Sequence, residues 1–172
     1  MHNLNRNCQQ HFTYRGYTLI ELILIVGIIA ILAAIAIPSY LQYQTKEART
    51  EVEGAMLQIA QKLEAYKLVN NDYGASNSAT YANVLANPAV YGGTVTANGV
   101  AYPLGSSGRN IKYNINFNST ISTTAPSTTW QLDATPANSQ TNNGTVSLND
   151  QGQRCWTQGA TSCTLTSAPW TN

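Results

Sequence analysis

The sequence predicts an α+β protein, a long N-terminal α-helix packed on a C-terminal antiparallel β-sheet. Three observations carry this. An apolar run near the N-terminus passes without a break into an apolar stripe at helical spacing. Period-two alternation then appears beyond residue 110, and two cysteines, Cys155 and Cys163, lie close together near the C-terminus.

Residues 22–37 (LILIVGIIAILAAIAI) are apolar throughout, and no charge stands between Glu21 and Lys46. As a helix, residues 22–45 would extend ~36 Å, enough for a hydrocarbon core of ~30 Å. A secretory signal would stop at a small-residue cleavage site, whereas this run continues through Pro38 into SYLQYQTKEART, so the segment is expected to be retained. Arg6, Arg15, His2 and His11 precede it, which places the N-terminus in the cytoplasm and residues after Lys46 across the membrane. Glu21 abuts the run, where an unpaired charge at depth costs several kcal/mol, so it needs a partner or a polar location such as a helix N-terminus at headgroup level. Pro38 lacks an amide hydrogen and is expected to kink or open the helix. Gly27, Ala30, Ala33, Ala34 and Ala36 suit both ordinary membrane-helix filler and close helix contact.

Beyond the membrane span, Ala48, Val52, Ala55, Ile59, Leu63 and Tyr66 recur at steps of three and four, which predicts the same helix continuing to about Asn70. Glu47, Arg49, Glu51, Glu53, Lys62, Glu64 and Lys67 fall on other faces and read as a solvated surface. A helix of roughly 54 residues (~80 Å) cannot bury its own stripe, so a sheet must cover it.

Residues 71–110, with NNDYGASNS and YGGTVTANG, read as a long connecting loop. IKYNINFN alternates Ile111, Tyr113, Ile115 and Phe117 with polar residues, a half-buried strand. TTWQLDA places Trp130, Leu132 and Ala134 on one face, and GTVSLND does the same for Val146 and Leu148, so residues 111–172 are expected to form an antiparallel meander over the helix.

Composition excludes several functions. Of nine basic residues, Arg6 and Arg15 lie before residue 16, leaving seven against eight acidic ones, so bulk charge gives no argument for nucleic acid. Both histidines lie in the same N-terminal segment, no phosphate-cradling glycine loop occurs, and lone carboxylates show no motif spacing, so the reading is of a non-enzyme. Only Asp72, Arg109, Lys112, Asp133, Asp150 and Arg154 are charged between residues 71 and 172. Two thiols without histidine or CxxC spacing cannot fill a zinc shell. In an exported chain Cys155 and Cys163 are expected to form a disulfide, with Cys8 left in the leader. The sequons at Asn118 and Asn143 are assigned no function.

The string RGYTLIELILIVGIIAILAAIAIPSY resembles the prepilin signature of type IV pilins and type II secretion pseudopilins. That resemblance implies the type IV pilin fold. It makes residues 1–16 a leader cleaved after Gly16 and Tyr17 the first mature residue, N-methylated at its new amine. Glu21 becomes the fifth mature residue, pairing with a neighbouring subunit's amine, and Pro38 marks a region that unwinds on assembly. Tyr17 stands where Phe is usual, and Ala30 where Gly is often found. IAQKLEAYKLVNNDY and TWQLDATPANSQTNNGTVSLNDQGQRCW resemble minor pilins of the PilE/ComP-like group. The chain then divides into leader 1–16, membrane or filament-core helix 17–45, amphipathic continuation 46–70, loop 71–110 and sheet head 111–172.

The implied function is a type IV pilus subunit, a minor pilin, contributing to assembly, twitching motility, adhesion or DNA uptake. One alternative is a competence DNA receptor using Arg109, Lys112 and Arg154 on phosphates and exposed Trp156 for stacking. Others are a major pilin and a type II secretion pseudopilin. The implied partners are a prepilin peptidase, a thiol oxidase, an inner-membrane platform and other pilins, with no cofactor and no metal. The implied location is the inner membrane with a periplasmic head, then the extracellular pilus.

Overall fold

The computed structural model of the chain describes residues 16–71, 73, 84–88, 90–96, 99–118 and 128–170. The expected leader residues 1–15, with His2, His11, Cys8, Arg6 and Arg15, lie outside them, as do most of NNDYGASNS and the serine and threonine of the Asn118 sequon.

Helix α1 runs Leu19–Asn70 and continues through Pro38. It ends where Asn71 takes φ +64° and donates its N–H to the Lys67 carbonyl at 2.7 Å. This is a left-handed C-terminal turn, which asparagine tolerates. By contacts the chain forms two units, one ending at Tyr40 and one beginning at Leu41.

The second unit holds a six-stranded sheet in simple sequence order: β1 (Val95–Thr96), β2 (Gly99–Tyr102), β3 (Tyr113–Phe117), β4 (Gln131–Pro136), β5 (Val146–Asn149) and β6 (Arg154–Trp156). Every neighbouring pair is antiparallel. The expected meander is present and is larger than the alternation indicates. Two short strands, β1 and β2, and a 3₁₀ turn at Gly108–Asn110 lie inside the segment read as loop. Strand β2 is masked in the sequence by its glycine: Gly99 has φ +105°, and a Cβ there would lie 2.5 Å from the Ile115 carbonyl oxygen. Close backbone approach of this kind is a common reason for glycine inside a strand.

The core forms between the α1 stripe and one sheet face. Ala48, Val52, Met56, Ile59 and Leu63 join Val100, Tyr113, Ile115, Leu132, Ala134, Val146 and Leu148 in one buried cluster. Met56 is fully buried where the expected stripe falls on Ala55, which is half-buried. The register sets Ile115 beside Ala134 and Phe117 beside Leu132, so each strand's apolar positions meet on the same face. On the opposite face Asp133 accepts hydrogen bonds from Asn118, Gln131 and Ser147 at 2.7–2.8 Å. These side chains satisfy the carboxylate without a counter-charge.

Candidate functional site

The first candidate region is the start of α1. Gly16 and Tyr17 precede the helix, and Tyr17 is 78% exposed. The Thr18 hydroxyl accepts the Glu21 N–H at 3.3 Å, and the Leu22 N–H bonds the Thr18 carbonyl at 3.2 Å. Thr18 is therefore the N-cap. The T-x-x-E spacing is a sequence signal of that cap and agrees with the expectation of Glu21 at a helix N-terminus. Glu21 is exposed in the first turn, where the helix dipole favours its charge. Among the described residues no cation lies within ion-pairing distance of it.

Downstream of Glu21 the helix is uncovered. Leu22, Ile23, Leu24, Val26, Ile28, Ile29, Ile31, Leu32, Ile35 and Ile37 are all exposed within the chain. The helix is long and apolar enough to cross a membrane. A contiguous apolar surface of this size marks a site of membrane or protein contact.

The second candidate region joins the Leu41–Asn70 part of α1 to the sheet, and here two expectations fail. Arg49 and Glu53, read as solvated, are both buried, with Arg49 Nε 3.6 Å from Glu53 Oε1. The Arg49 guanidinium carbon lies 3.6 Å from the Trp156 ring centroid, and the Trp156 indole N–H donates to the Asn143 carbonyl at 2.7 Å. Trp156 is therefore half-buried rather than exposed for stacking, with one ring face occupied. A helical-wheel reading assigns charged residues to water, and only a tertiary partner such as Trp156 overrides it.

Asn143 lies at the centre of this joint. Its buried side-chain amide faces the Thr45 carbonyl at 3.2 Å, the Tyr113 hydroxyl at 2.6 Å and Gln140 Oε1 at 3.2 Å, and its Oδ1 lies 3.5 Å from Arg49 Nη1. A glycan at the Asn143 sequon would have to displace these partners. Gly144 follows with φ +88°, and a Cβ there would lie 2.1 Å from the Thr157 carbonyl oxygen. The turn that presents Asn143 thus requires glycine.

Burial raises the Glu53 carboxyl above its ordinary value, against the opposing pull of Arg49 and Arg154. The Tyr113 hydroxyl is pushed up to about 12, chiefly by burial.

The third region is the C-terminal loop. Cys155 and Cys163 form a disulfide with Cα atoms 5.8 Å apart, within the usual span for such a bond. Arg154 and Thr166 exchange both backbone hydrogen bonds, at 2.7 and 3.0 Å, and the Trp170 indole donates to the Cys155 carbonyl at 3.2 Å. The residues expected to hold phosphates do not converge. Arg109 is exposed on the 3₁₀ turn, Lys112 pairs with Glu51 at 2.9 Å, and Arg154 lies over Trp170 at 4.9 Å. In the sheet order β3 and β6 stand three places apart, which amounts to ~14 Å at the usual strand spacing. The register sets Arg154 level with Phe117, and Phe117 is ~17 Å along the strand from Lys112. The backbones of Lys112 and Arg154 are thus about 22 Å apart by the same spacings, and the two side chains have different partners.

An uncovered apolar helix, an antiparallel sheet and a disulfide-closed C-terminal loop fit the type IV pilin fold. Within that class, the chain belongs to the family described as "Type IV minor pilin ComP, DNA uptake sequence receptor", whose model matches residues 38–155. Among curated relatives, it is 40% identical to the type IV major fimbrial protein FimA of Dichelobacter nodosus over 58% of this chain and 62% of that protein. It is 44% identical to the type IV wide pilus major component PilA4 of Thermus thermophilus over 38% of this chain and 50% of that protein. With the prepilin peptidase-dependent protein D of Escherichia coli, identity is 58% over 22% of this chain and 26% of that protein. The matches therefore span between about a quarter and three fifths of these relatives' lengths. No solved structure matches the chain significantly.

Proposed function

We propose that this chain is a minor subunit of a type IV pilus that polymerises through the first half of α1. The observation that carries this is the exposure of the apolar side chains between Leu22 and Ile37 in a helix whose later turns are buried against the sheet. Such a surface needs lipid before assembly and neighbouring helices afterwards.

In this reading a prepilin peptidase cuts after Gly16 and methylates the Tyr17 amine. Glu21, already in the first turn, then pairs with that ammonium on a neighbouring subunit. Pro38 is the weak point at which α1 opens during assembly. The chain is inserted in the inner membrane with its head in the periplasm, where an oxidase closes the cysteines. An assembly platform in that membrane then passes it to the extracellular pilus. The role is structural, with no catalysis and no cofactor.

Quantitative mass spectrometry of sheared surface filaments tests the reading. The expected result is a substoichiometric chain beginning at methylated Tyr17. A chain that dominates the filament would instead be a major pilin, as the similarity to FimA and PilA4 would allow. Deletion that stops protein secretion and leaves surface pili intact would identify a pseudopilin. Gly16→Trp is expected to leave an uncut membrane-bound precursor, and Glu21→Ala to insert normally but enter filaments poorly.

A second reading, DNA reception, is favoured by the family description of a DNA uptake sequence receptor. Arg109, Lys112 and Arg154 would touch separate phosphates of one duplex rather than one phosphate cluster. Trp156 would contribute through its packing under Arg49 instead of through base stacking. Retention of duplex DNA by the purified chain should fall in the Arg109→Glu, Lys112→Glu, Arg154→Glu variant, and unchanged retention would exclude these contacts.

A further inference from the structure

We propose that the cleft between the Leu41–Arg49 stretch of α1 and the turn before β5 binds the phosphodiester headgroup of an anionic membrane phospholipid. This rests on the reading of residues 22–45 as membrane-embedded before assembly. The cleft encloses about 570 Å³ and is lined by Thr45, Lys46, Arg49, Ser139, Asn142 and Trp156 among others.

Its chemistry fits one negative charge. Arg49 is already compensated by Glu53. Lys46 is exposed and, among the described residues, has no acidic partner. The cleft therefore presents one uncompensated cation, while its other polar groups are hydroxyls, amides and an indole. A phosphodiester monoanion matches that balance. A nucleic-acid backbone, which is held by several cations in a row, does not.

Its position fits the lipid as the source. Lys46 is the first charge after Glu21, so it closes the charge-free span, and Leu41 and Thr45 on the wall belong to the last turns of that span. Tyr40 and Tyr43 flank the same turns and are 61% and 65% exposed. Tyrosines followed by a lysine are the residues of a membrane–water boundary. A phosphate held by Lys46 would therefore lie where the charge-free span ends along the chain.

The test uses the full chain as wild type, Lys46→Gln and Lys62→Gln, Lys62 being exposed on α1 and outside the cleft. Each is reconstituted into vesicles of phosphatidylcholine alone or mixed with phosphatidylglycerol. Flotation scores insertion, and native mass spectrometry after detergent extraction scores retained lipid. All three chains should float with both compositions. Wild type and Lys62→Gln should retain one phosphatidylglycerol in preference to phosphatidylcholine, and Lys46→Gln should lose about tenfold in retention, the scale of one charge-assisted hydrogen bond. Equal retention by Lys46→Gln, or no preference for phosphatidylglycerol, would overturn the proposal while leaving membrane anchoring intact. Displacement of the lipid by inorganic phosphate at equal concentration would make the cleft a site for free phosphate. Displacement by a short DNA duplex would make it part of a nucleic-acid surface, and either result overturns the lipid assignment. Failure to float would remove the membrane reading and the proposal with it.

Discussion

The Arg49 guanidinium carbon stands 3.6 Å from the centroid of the Trp156 ring, which ties the middle of α1 to the last strand of the sheet. Glu53, one turn further on, is drawn into the same joint, and its Oε1 has no hydrogen-bond donor among the described residues. The pair is held by packing and charge rather than by a direct hydrogen bond, since the 3.6 Å separation is too long for one.

Glu53 consequently gives a pH dependence of defined sign. Its folded-state value is raised by burial, so its contribution to stability is present below the ordinary carboxylate value of 4.5 and lost as pH rises through the raised value. Glutamine imitates the protonated form. The melting temperature of Glu53→Gln relative to wild type should therefore become more favourable as pH rises from about 4 to 7. A relative melting temperature that falls over this range would mean that attraction to Arg49 outweighs burial.

Removing the Asn143 side chain should be costly. Asn143→Ala leaves the buried Tyr113 hydroxyl and Gln140 amide oxygen without this donor. The expected loss is about 2–4 kcal/mol for the combined unsatisfied groups and cavity, measured by urea unfolding followed through tryptophan fluorescence. Intact-mass analysis of the exported chain should show no glycan at Asn143.

Met56 is fully buried in the core. Met56→Ala should cost about 2–5 kcal/mol. Leu68 is 88% exposed near the end of the same helix, and Leu68→Ala should cost less than about 0.5 kcal/mol. Parallel denaturant titrations of the two variants give the comparison.

Opening the disulfide should loosen the C-terminal segment before it affects the core. The bond encloses a short loop and is worth ~2–3 kcal/mol in the chain-entropy account. In a Cys155→Ser, Cys163→Ser chain, amide exchange should accelerate first at Arg154 and Thr166, with the Ile115 and Leu132 amides slower to respond. Uniform acceleration would show that the loop and the sheet open as one unit.

Much of this architecture is legible in the sequence because it is periodic. The spacing of Val52, Ile59 and Leu63 indicates one buried helix face, and the alternation of Tyr113, Ile115 and Phe117 indicates β3, because each pattern is set by local geometry. Strands β1 and β2 are not legible. Val95 and Thr96 are too few to show a period, and Gly99 reads as a turn until Ile115 is seen against its backbone. Arg49 and Glu53 escape a sequence reading for a related reason, since Arg49 packs on Trp156, more than a hundred residues away in sequence, and Glu53 is buried beside Arg49. At the candidate site, Gly16, Tyr17 and Glu21 are singled out by resemblance alone, while the Thr18 cap is present in the spacing and easily passed over.

The bridge between Arg154 and Thr166 bears on what the edge of the sheet can accept. A six-stranded meander has two open edges, and an open edge accepts a strand from any neighbouring chain. At β6 the disulfide-held tail already occupies the hydrogen-bonding groups of Arg154. The disulfide-held tail therefore covers part of the β6 edge, while at the other edge β1 carries no further strand among the described residues. Reduction of the Cys155–Cys163 bond should therefore release the β6 edge to strand pairing by a second chain.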